Sequence, residues 1–243
     1  MVESVISFFE SLGFTKVPEQ ISFLLDPVNI PFAIWETLYA PLAATVLAYI
    51  IGLPLGVLLV TGEEGGIRPL PKSFMRILNT VINLLRSIPF LILMVMVFPL
   101  SRLILGTTIG TMATIVPLTV AAAPYVARLV ESSLREMDRG VVEAAQSMGC
   151  SSWQIVTKVM LPECLPSLIN GATNATITIL SYGAMAGNIG GGGLGAISLQ
   201  RGYQRNQIIV LYVAVIILVL LVQIIQSVGT ALSVKADKRI THK

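Results

Sequence analysis

Long runs without a charged residue divide this chain of 243 residues. A charge is costly in hydrocarbon, and a spanning helix needs about 20 consecutive apolar residues, so such runs mark candidate membrane spans. A shorter run at 87–101 can be extended back to Ile77 if the side chain of Arg86 reaches the inner membrane surface. The four long runs are 37–62, 103–127, 164–200 and 206–234.

Together these runs predict five spanning helices in an all-α polytopic membrane protein. The predicted spans are Thr37–Val60, Ile77–Leu103, Thr111–Leu134, Pro166–Ile189 and Ile208–Leu232.

Composition agrees with a membrane protein. Hydrophobic residues make up 54% of the chain and charged residues 12%, against about 25% charged in soluble domains. Mean hydropathy is +0.82. The length allows one domain of several spans but no added soluble enzyme. The two cysteines, Cys150 and Cys164, do not indicate a disulfide framework, and we expect both to be reduced.

The distribution of basic residues predicts the orientation. Five spans place the termini on opposite sides, and a cytoplasmic C-terminus puts twelve basic residues inside and four outside, which agrees with the positive-inside rule. The N-terminus is then outside. The inner residues are Arg68, Lys72, Arg76, Arg86, Arg128, Arg135, Arg139, Lys158, Lys235, Lys238, Arg239 and Lys243; the outer ones are Lys16, Arg102, Arg201 and Arg205.

Residues 1–32 are predicted to be an extracytoplasmic or interfacial segment. Charged residues interrupt every apolar run there before it is long enough to cross, and no positive start or cleavage site of a signal peptide is present. Val5–Leu12 could form an amphipathic surface helix with Phe8 and Phe9 at the headgroups. A poorly ordered extension is the alternative.

The polar stretch between the third and fourth spans predicts two short helices within 139–160. Arg139–Met148 favours helix, and Gly149 lies where a helix commonly stops. Ser151 and Gln154 have the spacing of a capping box that would start the second helix. Pro162 is expected to end this helix, and Pro166 can begin the next span.

Small side chains at Ala144 and Ala145 would let this helix settle into a groove of another protein. Glu143 would supply a charged contact at its edge, and Trp153 a large apolar anchor of the kind enriched at interface hot spots. The alternative is an ordinary helical hairpin that packs only on its own membrane domain.

This stretch resembles the loop by which permease subunits of bacterial ATP-binding-cassette importers bind their ATPase. The family pattern is Glu-Ala-Ala, three residues, Gly, nine residues, an aliphatic residue, one residue, then Leu-Pro. The resemblance implies a five-helix type I importer transmembrane domain over 33–234, with coupling helices at 139–160 and a cytoplasmic tail at 235–243. The matching residues are Glu143, Ala144, Ala145, Gly149, Val159, Leu161 and Pro162, with Val159 in place of the commoner Ile.

Other segments narrow the resemblance within this family. Asn83–Phe90 resembles a signature of the amino-acid importers. The methionine-uptake permeases are resembled at Pro117–Pro124, Ala127–Glu131 and Ser181–Met185 with the glycine run after it. The resemblance implies a homodimer of permeases in the bacterial cytoplasmic membrane, an extracytoplasmic binding protein, and two cytoplasmic ATPase subunits that bind ATP and Mg²⁺. No nucleic-acid partner is expected. The cargo could also be another amino acid or small solute.

Glycines recur every four residues at Gly183, Gly187, Gly191 and Gly195. On a helix this spacing makes a stripe that another helix can approach closely. Glycine also weakens helices, so the run Gly190–Gly193 is expected to break the fourth span and form a bend or outer loop. Close packing and a moving gate are both possible roles.

Chemical motifs are missing where an enzyme or ion-coupled carrier would need them. Gly190 and Gly195 have phosphate-loop spacing, but Ala196 and Ile197 stand where Lys and Ser or Thr are required, so no P-loop is expected. No carboxylate falls between residues 64 and 131 or between 163 and 237, which disfavours an ATP-independent secondary transporter. The single histidine, His242, lies in the tail, and we predict no catalytic and no metal-binding residue.

The resemblance implies alternating access of a central cavity, driven by ATPase subunits that move the cytoplasmic helices. Methionine needs a cavity with both apolar and polar groups. Tyr182, Met185 and Asn188 are candidates to line the pathway, with lipid-facing or helix-packing roles as alternatives.

Overall fold

A computed structural model describes residue 6 and residues 16–237, and these residues form helices and turns without a strand. This confirms the predicted all-α class. The predicted surface helix at Val5–Leu12, with Phe8 and Phe9, lies outside the described residues except for Ile6. The α-helices are α1 Val17–Leu25, α2 Asn29–Thr61, α3 Lys72–Ser87, α4 Phe90–Leu105, α5 Thr111–Arg135, α6 Arg139–Ser147, α7 Ser152–Gln154, α8 Leu161–Glu163, α9 Leu165–Ala186, α10 Gly193–Ala196 and α11 Ile208–Ala236.

Three of the described helices, α2, α5 and α11, are both long and apolar enough to cross a membrane, and a fourth span results if α3 and α4 count as one. The predicted first span corresponds to α2, but this helix begins at Asn29 rather than at Thr37. The predicted fourth span corresponds to α9, which has 22 residues and carries several Asn, Thr and Ser side chains. Because of these polar side chains, α9 is not among the helices that are apolar enough to count as spans by hydropathy.

The predicted single helix over Ile77–Leu103 is wrong. The structure has two helices there, bent by 110° at Ser87–Pro89. A proline disfavours helical backbone in the residue before it, and Ile88 is accordingly extended, with φ −79° and ψ 127°. The segment therefore consists of a strongly amphipathic helix followed by an apolar one.

The described residues form two compact units. The first draws on the described residues up to Ala43, on Met94–Leu118 and on Ile179–Ile224. Within it, the fully buried side chain of Gln20 accepts a hydrogen bond from the backbone N–H of Ile209, at 2.9 Å. This bond ties α1 to the start of α11.

The second unit draws on Ala44–Leu93, on Thr119–Thr178 and on the described residues from Ile225 onward. Here α2 and α5 approach closely at two glycines: a Cβ at Gly52 would lie 2.8 Å from Val126 Cβ, and one at Gly56 would lie 2.6 Å from Val130 Cβ. An apolar cluster of Leu59, Met75, Ile82 and Ala127 joins α2, α3 and α5. The segment with the Glu-Ala-Ala pattern belongs to this unit.

Candidate functional site

The helix that carries the Glu-Ala-Ala pattern, α6, is defined at both ends by its own sequence. Asp138 caps its start, with Oδ1 accepting from the backbone N–H of Gly140 at 2.8 Å. Ser147 is its last residue, and Gly149 follows with φ +77°, a left-handed conformation that favours glycine. The predicted helix and its stop are present.

The second arm of this segment begins with the predicted capping box. The Ser151 backbone N–H donates to Gln154 Oε1 at 2.9 Å, and the Gln154 N–H donates to Ser151 Oγ at 3.4 Å. The arm then continues through α7, a π-helical turn at Ile155–Met160, and α8. We call residues 138–163 the hairpin.

The prediction that Pro162 ends the second helix is wrong. Pro162 lies inside α8, which ends at Glu163, and Cys164 alone separates α8 from α9. Proline lacks the N–H that an α-helix would use at this position. The preceding π-helical turn shifts the bonding pattern, so that the Leu161 N–H donates to the Val156 carbonyl five residues earlier.

The hairpin residues that the pattern singled out have unequal exposure. Glu143 and Ala144 are exposed, whereas Ala145 is buried at 2%. The structure therefore presents only one of the two alanines outward. Gly149 and Pro162 are also exposed, and Leu161 is half-buried.

Two large apolar side chains stand out from the hairpin surface. Met148 is 76% exposed and Trp153 is 75% exposed. Among the described residues no side chain forms an ion pair with Glu143. A hairpin that exposes a carboxylate, a small residue and two large apolar side chains is suited to bind a protein partner.

A cavity of about 460 Å³ lies beside α6. One wall is the loop after α2, and the other is α6 itself. Its lining includes Glu63, Gly66, Arg139, Glu143 and Gln146. Glu143 therefore borders a recess as well as an open surface.

A ladder of charges connects the elements around this cavity. The guanidinium of Arg135 donates to Glu63 Oε2 at 3.0 Å and to Glu131 Oε1 at 2.9 Å. Arg128 pairs with Glu131 and donates to Asn79 Oδ1 on α3, at 2.9 Å. Sequence reasoning missed this ladder, although Glu131 lies three residues before the end of the predicted third span.

The glycine segment does not form one helical stripe. α9 ends at Ala186, a 3-10 turn covers Gly187–Ile189, and Gly190 has φ +105°. The break thus begins three residues before the predicted one at Gly190–Gly193. A Cβ at Gly187 would lie 2.3 Å from the Ala196 nitrogen. The glycines allow the chain after α9 to fold back onto α9.

At Gly195 and Gly183 the close neighbours are again backbone or ring atoms. A Cβ at Gly195 would lie 2.3 Å from the Ala184 carbonyl oxygen, and one at Gly183 would lie 3.0 Å from Pro41 Cγ. At Gly191 a Cβ would meet the Ala186 carbonyl at 2.9 Å. All four predicted glycines therefore lie at close approaches.

The carboxylate of Glu36, in α2, clamps this glycine segment. Glu36 Oε1 accepts from Thr111 Oγ1 at 2.6 Å, and Oε2 accepts from the Gly193 N–H at 2.9 Å. Next to it, the Leu194 N–H donates to Thr37 Oγ1 at 2.8 Å. Sequence reasoning placed Glu36 just before the first span and assigned it no role.

The candidate pathway residues lie at the end of α9 and just beyond it. Met185 is 48% exposed, Asn188 is exposed, and Tyr182 is half-buried. Among the described residues, no group of three His, Cys, Asp or Glu side chains is placed to hold a metal ion.

Comparison with known proteins identifies the class. Residues 52–236 match the family described as the inner membrane component of binding-protein-dependent transport systems. The chain therefore belongs to this family of inner-membrane transport components. Three-quarters of the sequence lies within the match, including the whole hairpin.

Particular relatives are permeases of one transport system. The chain is 50% identical over 218 residues to a protein of Vibrio cholerae named as a probable D-methionine transport system permease, MetI, and covers 96% of it. It is 47% identical over 204 residues to the corresponding protein of Pasteurella multocida, again covering 94% of that chain. The matches cover 89% and 84% of this chain.

Solved structures give the same fold. Two crystal forms of the inward-facing MetNI methionine ABC transporter match with TM-scores of 0.82 and 0.84, at 44% and 43% identity, over 84% and 86% of this chain and 94% and 96% of those chains. An amino acid ABC transporter crystallised with histidines matches with a TM-score of 0.68 at 16% identity, over 84% of this chain and 92% of that one, a likeness of fold alone. The predicted type I importer transmembrane fold is confirmed.

Proposed function

We propose that this chain is the permease subunit of an ATP-driven importer that carries methionine across the cytoplasmic membrane by alternating access. The observation that carries the proposal is the hairpin: a capped helix followed by a left-handed glycine, with Glu143, Ala144, Met148 and Trp153 all exposed. The relatives, which are D-methionine permeases at up to 50% identity, support the cargo.

The hairpin would dock into a groove of a separate ATPase subunit. Ala144 would allow the close approach of α6, Glu143 would make a charged contact at the edge of the groove, and Trp153 would provide an apolar anchor. Gly149, Leu161 and Pro162 would shape the hairpin. ATP and Mg²⁺ would bind to the ATPase, and this chain would contribute no catalytic residue.

The hairpin is attached to two long helices by short connections, and this is how it would transmit movement. Only residues 136 and 137 separate Arg135, the end of α5, from the Asp138 cap, and Cys164 alone separates α8 from α9. Ser167 Oγ of α9 also donates to Glu136 Oε2 at 2.9 Å. A rigid shift of the hairpin would therefore move α5 and α9 together.

The complete importer would contain two copies of this permease, two ATPase subunits and an extracytoplasmic binding protein. The positive-inside count supports an orientation with the N-terminus outside and the C-terminus in the cytoplasm. The name of the MetNI neighbours, which are methionine ABC transporters, supports the pairing with ATPase subunits.

Cargo would pass near the end of α9. Tyr182, Met185 and Asn188 would line the pathway and offer both the apolar and the polar character that methionine requires. The glycine segment from Gly183 to Gly195 would pack closely, or act as a gate, beside it.

Purification of the chain with the proteins expressed from its own genetic neighbourhood tests this function. We expect an ATPase to co-purify. In proteoliposomes that also contain the binding protein, methionine is expected to stimulate ATP hydrolysis and to accumulate inside. Stimulation by a different amino acid instead of methionine would contradict the cargo, and absence of any bound ATPase would contradict the importer mechanism.

A further inference from the structure

Helix α3 leaves an apolar stripe uncovered in the second unit. Phe74, Ile77, Val81 and Leu84 follow one another at spacings of three, four and three residues, so they share one side of the helix. Their exposed fractions are 48%, 64%, 47% and 61%. This stripe requires an apolar environment.

Other contacts fix the rotation of α3. Met75 and Ile82 are buried at 8% and 2% within the apolar cluster of the second unit. On the polar side, Asn79 Oδ1 and Asn83 Oδ1 each accept from the guanidinium of Arg128, at 2.9 Å. The stripe is thus held outward while the amide groups are turned toward α5.

All the charged residues of α3 are basic. The helix contains Lys72, Arg76 and Arg86 and no acidic residue. Lys72 pairs with Glu64, at 2.6 Å. Among the described residues no carboxylate pairs with Arg76 or Arg86, and both are exposed. Two cations remain available to an anionic partner.

The shape of the segment suits a position along the membrane surface. α3 has 16 residues and carries polar groups along one side, while α4 after the 110° bend is almost wholly apolar. A helix with one strongly apolar side and a basic polar side lies in the interface, with the apolar side in the acyl region.

We propose that α3 is an interfacial helix that binds anionic phospholipid, with the Phe74–Leu84 stripe in the acyl chains and Arg76 and Arg86 at the lipid phosphates. Charge complementarity selects this occupant over a second copy of α3, because pairing two such helices would bring like charges together. The proposal requires only that the chain lies in a membrane, so it can fail while the proposed transport function stands.

The first test measures lipid binding. The full-length protein is purified in uncharged detergent and titrated with pyrene-labelled phosphatidylglycerol. For the double variant Arg76→Gln/Arg86→Gln we expect the apparent Kd to rise between about fivefold and thirtyfold, the range for losing one or two basic groups at an anionic surface. The control Arg139→Gln/Lys158→Gln removes two exposed charges from the hairpin, outside the predicted spans and α3, and should change the Kd less than about twofold. Equal effects in both variants would overturn the proposal.

The second test measures the environment of the stripe and does not depend on charge. Spin labels are placed at Ile77→Cys, Leu84→Cys and Lys72→Cys, in a Cys150→Ser/Cys164→Ser background reconstituted in phosphatidylglycerol-containing nanodiscs. Lys72 is exposed and lies off the stripe. We expect the labels at 77 and 84 to collide with oxygen but not with a water-soluble nickel chelate, and the label at 72 to do the reverse. Spin–spin broadening at 77 and 84, with little access to either reagent, would overturn the proposal in favour of a second copy.

Discussion

Two adjacent alanines show how much a single helical position decides. Ala144 and Ala145 are equivalent in the sequence pattern, and each was expected to help the helix fit a groove. In the structure Ala144 faces outward, whereas Ala145 is buried against its own chain. Ala144 is therefore the residue whose size matters to a partner, and Ala145 is a packing residue.

The same substitution at these two positions should affect different properties: partner binding at Ala144 and stability at Ala145. Ala144→Trp is expected to leave the melting temperature of the purified permease nearly unchanged and to abolish ATPase co-purification, because an indole would fill the space needed for docking. Ala145→Trp should lower the melting temperature, because overpacking a buried site costs about 1–3 kcal/mol. A stable Ala145→Trp variant, or an Ala144→Trp variant that retains the ATPase, would contradict these roles.

Gly192 is the glycine with the least space at the Glu36 clamp. A Cβ there would lie 2.2 Å from Thr111 Oγ1 and 2.5 Å from Glu36 Oε2. Gly192→Ala is expected to separate the clamp and destabilise the first unit by about 1–3 kcal/mol, as overpacking does. The measurement is thermal unfolding in detergent.

Gly171→Ala is the matched control for Gly192→Ala. Its Cβ would lie 3.7 Å from Leu129 Cβ, an ordinary contact, inside α9. Alanine favours helix over glycine by about 1 kcal/mol, so this variant should be at least as stable as the wild type. Equal losses of stability at residues 171 and 192 would show that the clamp has no special role.

The contacts of the Glu36 clamp could not be predicted from the sequence. Glu36 lies 75 residues from Thr111 and 157 residues from Gly193. No local pattern joins positions so far apart. The sequence indicated that the glycine run would break the helix, but the carboxylate that holds the broken segment emerges only from the fold.

At the scale of the helices, local signals predicted what local forces control. The Ser151–Gln154 capping box and the stop at Gly149 depend on neighbouring residues, and both are present. The effects of two prolines were predicted wrongly. Pro89 divides a predicted span, whereas Pro162 fails to end a helix because a π-helical turn precedes it. Whether a helix can adjust around a proline depends on the packing of its other turns.

Arg128 is the polar link that holds α3 against α5, and its loss should free α3. Arg128→Met removes the hydrogen bonds to Asn79 and Asn83 while keeping an unbranched side chain. We expect amide hydrogen exchange to accelerate across 72–87 and to change little across the rest of α5. Hydrogen exchange with mass spectrometry measures this directly.

Arg68→Met is the control for Arg128→Met. Arg68 is exposed in the loop after α2 and, among the described residues, forms no ion pair. Exchange across 72–87 should match the wild type in this variant. If Arg128→Met also leaves exchange in α3 unchanged, the apolar cluster of Met75 and Ile82 alone holds the helix.

For the whole molecule, the membrane class and the all-α fold followed from composition and charge-free runs. The number of spans did not follow as directly. α9 is too polar to be selected by hydropathy, and α3 is an amphipathic helix that a count of apolar residues merges with α4. The polar groups of both helices are accommodated by contacts within the fold, and a hydropathy count does not include such contacts.

We propose above that the hairpin transmits the motion of an ATPase to α5 and α9 through its short connections. The one-residue connection at Cys164 can be lengthened without altering the proposed docking surface. Insertion of two glycines after Cys164 should leave ATPase co-purification intact while loosening the link to α9. The same insertion after Thr107, in the loop between α4 and α5, is the control.

The deciding measurement is the number of methionine molecules imported per ATP hydrolysed, in proteoliposomes containing the binding protein. For the Cys164 insertion we expect this ratio to fall about tenfold, which is within the range of allosteric coupling energies, and for the Thr107 insertion we expect a near-normal ratio. A Cys164 insertion variant that retains the wild-type ratio of import to hydrolysis would show that the hairpin does not act through this connection.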